Sequence, residues 1–175
     1  MMSRKTCTEP EPGEPRVTRC PFGRLALSFA KAFIGISFLL REPNARIHVA
    51  ASLTVVAAGL LVRLGPVEWA ILVVSIGVVL GLETLNTALE GYVDLAAPGR
   101  DEVAARAKDA AAGAVLLAAM ASVVVAAVIF GPRLGELRAA LAAAWASRPV
   151  AVLAYLAVIL TMLLSGVLWR EKWPA

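Results

Sequence analysis

Residues 110–132 read AAAGAVLLAAMASVVVAAVIFGP, 23 positions without a formal charge, and residues 149–169 read PVAVLAYLAVILTMLLSGVLW, another 21. Crossing about 30 Å of hydrocarbon takes roughly 20 helical residues, so each stretch is long enough to span a bilayer. Outward from these, 47–62 is a third apolar run, ended by Arg63 and interrupted only by His48. A fourth, 69–82, continues in broken form to Leu89. The pattern predicts an all-α integral membrane protein with spans at about 47–63, 67–92, 107–131 and 150–169. Composition agrees: of 175 residues 59% are apolar and 17% charged, with a mean hydropathy of +0.77. A typical soluble domain carries about 25% charged residues. Disorder is excluded by the apolar content, and a chain this short has too little interior to hide so many apolar side chains in water.

The net charge of +4 speaks to membrane orientation rather than to nucleic acid, because no basic stripe with interleaved aromatics is present. Eight basic residues precede the first span: Arg4, Lys5, Arg16, Arg19, Arg24, Lys31, Arg41 and Arg46. The positive-inside rule then places the N-terminus in the cytoplasm. The loop holding only Arg63 falls outside and the loop holding Arg100, Arg106 and Lys108 inside. Four spans return the C-terminus, with Arg170 and Lys172, to the cytoplasm. The segment between Arg133 and Arg148 carries three arginines yet falls outside. Its alanine- and leucine-rich sequence suits a helix lying along the interface.

Residues 1–21, with CTEPEPGEPR at 7–16, read as a flexible tail rather than a signal peptide. From Arg24 to Leu40 the residues Leu25, Phe29, Phe33, Ile36 and Leu40 recur at helical spacing, which predicts an amphipathic surface helix over 24–40. Cys7 and Cys20 read as structural or neutral, since a cytoplasmic tail disfavours a disulfide and His48 is the only histidine.

The chemistry is concentrated in GLETLNTALEGYVD, residues 81–94. Charges inside a membrane helix are costly and mark function by default. Glu83, Asn86 and Glu90 stand at i, i+3 and i+7, on one face. With the helix entering near Glu68, Glu90 lies about 32 Å further along, at the cytoplasmic boundary, and Glu83 roughly 10 Å deeper. Lys108 and Asp109 open the next span at the level of Glu90, and Glu42 precedes the first. Magnesium commonly binds through one or two carboxylates plus substrate phosphates, a role that suits Glu42 and Glu90. Glu83, in a poorly hydrated setting, is the candidate general base, and Lys108 a cation for phosphate charge. None of the soluble nucleotide-binding glycine motifs occurs. These grounds leave two classes open: a membrane-embedded, metal-dependent phosphotransferase, or a small proton or cation carrier using Glu83 and Glu90. No internal repeat of the carrier type is seen.

EPNARIHVAAS (42–52), ETLNTALEGYVD (83–94) and RAKDAAAGAVLL (106–117) together resemble the prokaryotic diacylglycerol kinase family, which includes undecaprenol kinases. The resemblance runs from about Phe22 to Phe130 and implies a lipid-kinase membrane domain over 22–132, with the loop and added span of 133–175 outside it. It implies a homotrimer with sites shared between subunits, transferring the γ-phosphate of MgATP to a lipid hydroxyl. By position it makes Glu83 the catalytic base, supported by Asn86, and Glu42 and Glu90 the magnesium ligands that also meet the nucleotide. Lys108 and Asp109 match the family's nucleotide-contacting pair, and Gly99, Arg100 and Asp101 occupy the preceding loop, without its usual histidine. Arg24 matches an N-terminal arginine for nucleotide and lipid, and with Arg46 and Glu83 is expected at the lipid. EPNARIH and AKDAAAGAVLL look more like the undecaprenol branch than the diacylglycerol branch.

Overall fold

The computed structural model describes residues 21–168, and every regular element among them is helical. The helices are α1 (Pro21–Leu39), α2 (Pro43–Leu61), α3 (Pro66–Ala96), α4 (Glu102–Phe130), α5 (Leu134–Ser147) and α6 (Pro149–Leu168), with one 3-10 turn, Gly131–Arg133, between α4 and α5. The readings of the cysteines, of the tail and of Arg170 and Lys172 fall outside the described residues.

The chain divides into two units, 1–38 and 39–175. The first contains α1 up to Phe38, whose apolar residues Leu25, Phe29, Phe33 and Ile36 are exposed.

In the second unit α3 and α4 form the most extensive helix pair, followed by α2 and α6. The turn between α2 and α3 is set by local chemistry. Arg63 adopts a left-handed φ of 52°, and Leu64 N–H donates to Gly59 O at 3.1 Å, the Schellman geometry that closes a helix C-terminus. The close approach needs Gly59: a Cβ there would lie 2.9 Å from Leu64 Cδ1 and 3.0 Å from Trp69 Cη2. Pro66 follows at the first helical position of α3, where its missing N–H costs nothing. Leu64, Leu72 and Ile129 are buried together near this end, with Val55, Val62, Trp69 and Phe130 against them.

Three helical runs are long and apolar enough to cross a membrane: α2, α3 and Glu102–Ser147; α6 supplies a shorter apolar helix over Pro149–Ser165. Large side chains such as Leu116, Leu117, Val123, Val124 and Val128 are exposed along α4, as expected where the solvent is hydrocarbon. The protein is therefore an all-α membrane protein. Several bounds differ from the hydropathy reading. α3 runs to Ala96 and α4 starts at Glu102, because hydropathy sees only the part of a helix that lies in hydrocarbon. The segment between Arg133 and Arg148, expected as a helix from its alanine- and leucine-rich sequence, is helical over Leu134–Ser147 as α5.

Two hydrogen bonds fix the direction of α6. Tyr155 Oη donates to Thr54 Oγ1 at 3.3 Å, and Arg46 Nη1 to Ser165 O at 3.3 Å. α6 thus runs antiparallel to α2 and returns the chain to the end that carries Glu42. At the opposite end Arg133 pairs with Glu68, whose carboxylate also accepts from Gly65 N at 2.8 Å. One of the three arginines that disagreed with the charge rule is therefore neutralised by an acid on α3.

Candidate functional site

Glu83 and Asn86 are the two buried polar or charged side chains among the described residues, at 3% and 7% exposure. They lie on one face of α3, as their spacing requires. Asn86 Nδ2 donates to Glu90 Oε1 at 2.8 Å, and Asn86 Oδ1 is buried with no hydrogen-bond partner among the described residues. The charges of Glu90 and Glu42 both act on Glu83, so α2 and α3 bring the three predicted carboxylates into one neighbourhood. Glu42 is the N-cap residue of α2, but its side chain makes no capping bond, which leaves the carboxylate available to the site. Thr87, by contrast, turns its hydroxyl to Glu83 O at 3.0 Å and serves its own helix.

One turn beyond Glu90, Asp94 forms an ion pair with Lys108 of α4. The sequence places Lys108 level with Glu90; in the folded chain its ion-pair partner is Asp94. A signal was present: Asp94 lies eleven residues after Glu83, three helical turns, and returns to the same face. The stripe of Glu83, Asn86, Glu90 and Asp94 extends roughly 16 Å along α3. Beside its far end an open cleft of about 550 Å³ is lined by Asp94, Gly99, Arg100, Asp101, Glu102 and Lys108, together with Val93 and three alanines, Ala97, Ala104 and Ala105. It gathers Gly99, Arg100, Asp101 and Lys108 from the predicted nucleotide set. Asp101 Oδ1 is engaged in capping α4, accepting from Val103 N at 2.7 Å and Ala104 N at 2.8 Å. Asp109 is exposed and does not line the cleft. Arg24 lies in α1, in the first unit. Arg46 directs Nε to Leu40 O at 2.9 Å, Nη2 to Arg41 O at 3.4 Å and Nη1 to Ser165 O.

Two apolar concavities adjoin the stripe. One of about 280 Å³ lies among α2, α3 and α4, and its lining includes His48, Ser52, Ser75, Val79, Ala119 and Ser122. Its serine hydroxyls bond to carbonyls of their own helices, Ser52 to His48, Ser75 to Ile71 and Ser122 to Ala118. Val79 is one turn along α3 from Glu83. The other, about 440 Å³, opens between α3 and α4 with Asn86 among Leu82, Leu85, Leu89, Tyr92 and small α4 residues.

No group of three or more His, Cys, Asp and Glu side chains among the described residues could hold a metal ion by itself. Two carboxylates completed by phosphate oxygens form the donor set that magnesium accepts, and Glu42 with Glu90 fits it.

The family profile of prokaryotic diacylglycerol kinase matches residues 30–130, more than half of the chain. The chain belongs to the prokaryotic diacylglycerol kinase family. The match takes in α2, α3 and α4 with the whole acidic stripe and leaves α5 and α6 outside. Within this family, the chain is 42% identical over 91 residues to an undecaprenol kinase of Bacillus subtilis (strain 168), covering 51% of this chain and 74% of that protein. It is also 42% identical over 72 residues to a diacylglycerol kinase of Synechocystis sp., covering 41% of each. No solved structure matches it. As a member of this family the protein is a lipid kinase.

Proposed function

We propose that this protein transfers the γ-phosphate of ATP to the hydroxyl of a membrane lipid, undecaprenol in preference to diacylglycerol. The observation that carries the reading is the buried Glu83, one helical turn from an apolar groove on one side and beside Asn86 and Glu90 on the other. Phosphoryl transfer depends on positioning and charge stabilisation more than on covalent help from the protein. The lipid hydroxyl lies against Glu83, which takes its proton as the oxygen attacks the γ-phosphorus; the bond from that phosphorus to the bridging oxygen breaks and ADP leaves. Glu42 and Glu90 would hold the magnesium that accompanies ATP, which neutralises phosphate charge. Asn86 keeps Glu90 oriented through its 2.8 Å bond. Lys108, with Gly99 and Arg100 in the cleft, receives the nucleotide, and binding exchanges the Asp94 partner of Lys108 for phosphate oxygens. Asp109, next to Lys108 but outside the cleft lining, is assigned to the nucleotide by the family resemblance.

A hydrocarbon chain has no hydrogen bonds to offer, and the three serines of the groove are satisfied by their own helices. The open flank between α3 and α4 supports lateral access from the bilayer. Neighbouring subunits of a homotrimer would share such sites in a bacterial inner membrane, with N- and C-termini cytoplasmic. The test is purified protein in nanodiscs with Mg²⁺ and labelled ATP, offered undecaprenol and diacylglycerol separately. Label on undecaprenol at several times the rate on diacylglycerol is expected. Faster labelling of diacylglycerol reverses the lipid assignment, and label on neither overturns the reading.

A further inference from the structure

α6 lies outside the part of the chain that matches the family, yet it touches a residue four positions from Glu42. A guanidinium offers five N–H donors in a rigid planar fork. In Arg46 three nitrogens reach three main-chain carbonyls: Nε to Leu40 O at 2.9 Å, Nη2 to Arg41 O at 3.4 Å and Nη1 to Ser165 O at 3.3 Å. The first two carbonyls belong to the turn that delivers Glu42, and the third belongs to the last part of α6. A helical carbonyl retains a second lone pair for such a bond. Within the turn Glu42 N donates to Leu39 O at 3.0 Å and Arg46 N to Glu42 O at 3.3 Å, while Glu42 makes no side-chain capping bond. Pro43, at the start of α2, has no N–H to contribute. The register of α6 on α2 is fixed a second time by Tyr155 and Thr54, so the position of Ser165 O is not accidental to one contact.

We propose that Arg46 is a positioning residue and that α6 is the strut it works against. The guanidinium fastens the 40–41 turn to the Ser165 carbonyl, and through that turn α6 sets where the Glu42 carboxylate stands. A lysine cannot replace the fork, because a single ammonium nitrogen cannot reach three carbonyls in this planar arrangement. The inference rests on the proposed role of Glu42 at the cation and nucleotide.

The test uses full-length protein carrying Arg46→Lys, Ser165→Pro, Ser165→Ala or both of the first two. Proline at 165 displaces the local helix and its carbonyl, whereas alanine keeps the carbonyl and loses only the hydroxyl bond to Met162 O. Hydrogen–deuterium exchange over 39–46 reads the clamp without reference to catalysis, and Mn²⁺ binding by electron paramagnetic resonance reads the site. Arg46→Lys and Ser165→Pro are each expected to speed exchange in that segment and to weaken Mn²⁺ binding at least fivefold. Each should raise KM for MgATP more than it lowers kcat, with Ser165→Ala like the wild type. The double variant should be no worse than the poorer single one, as for two partners of one contact. Unchanged exchange in Ser165→Pro, or multiplicative effects in the double variant, would overturn the strut. Faster exchange with Mn²⁺ binding unchanged would overturn its link to Glu42. A wild type that binds Mn²⁺ and shows this exchange pattern but phosphorylates no lipid would instead defeat the kinase reading and leave the strut standing.

Discussion

Asn86, in its proposed role beside Glu90, trades stability for position. Its Nδ2 holds Glu90 while its Oδ1 is buried without a partner among the described residues, and a buried unsatisfied acceptor costs about 1–3 kcal/mol. Asn86→Leu removes both the unsatisfied oxygen and the orienting bond. Activity is expected to fall about 10–100-fold, the usual effect of losing a group that orients a ligand, while thermal stability stays level or rises. A variant that unfolds at lower temperature and keeps its activity would contradict this division of roles. At this scale the sequence was informative where depth made charge expensive. Glu83, Asn86 and Glu90 were legible because nothing else explains acids in an apolar helix. Asp94 was passed over because near water a charge explains itself, and only its pairing with Lys108 in the folded chain distinguishes it from a boundary residue. The Arg46 bonds to Leu40, Arg41 and Ser165 were out of reach, since main-chain acceptors leave no mark in a sequence.

Among the elements, prolines were the clearest boundary signal, and hydropathy the weaker one. α2, α3 and α6 begin at Pro43, Pro66 and Pro149, each at a first helical position where proline is favoured, whereas the apolar pattern put the starts at 47, 67 and 150. The shift matters at α2, where beginning at Pro43 makes Glu42 the residue at the mouth of the helix. Polar helix ends, at Ala96 and Glu102, were missed because periodic hydrophobicity fades outside hydrocarbon; Asp101 as a capping residue was the available cue. The α2–α3 turn offers its own test. Arg63 sits at a left-handed φ of 52°, a conformation that costs a residue with a Cβ about 1–2 kcal/mol and glycine almost nothing. Arg63→Gly should therefore stabilise the protein by about 1 kcal/mol, read as a higher midpoint of thermal unfolding with activity unchanged. A lower midpoint would show that the Arg63 side chain contributes more than its backbone costs.

At the scale of the molecule, the helices of residues 39–168 bury little: many large apolar side chains, Leu116, Leu117, Val123 and Val128 among them, are exposed. Lipid can cover such faces, but a site shared between subunits requires neighbours as well. Native mass spectrometry from detergent is expected to show three chains of 18.3 kDa each, and a stable, active single chain would remove the shared site from the account. The general architecture and the kinase family were legible from the four apolar runs and three short motifs. The antiparallel return of α6 onto α2 was not, because an apolar helix written in alanine, leucine and valine carries no address. The central claim is that Glu83 receives the proton of a lipid hydroxyl during phosphate transfer. The most direct measurement compares wild type with Glu83→Gln for transfer of labelled phosphate from ATP to undecaprenol in nanodiscs, with Mn²⁺ binding followed in the same samples. The account predicts a loss of about 10²–10⁴-fold in transfer, the range for a general base, with Mn²⁺ binding retained. Equal transfer by the two proteins would contradict it.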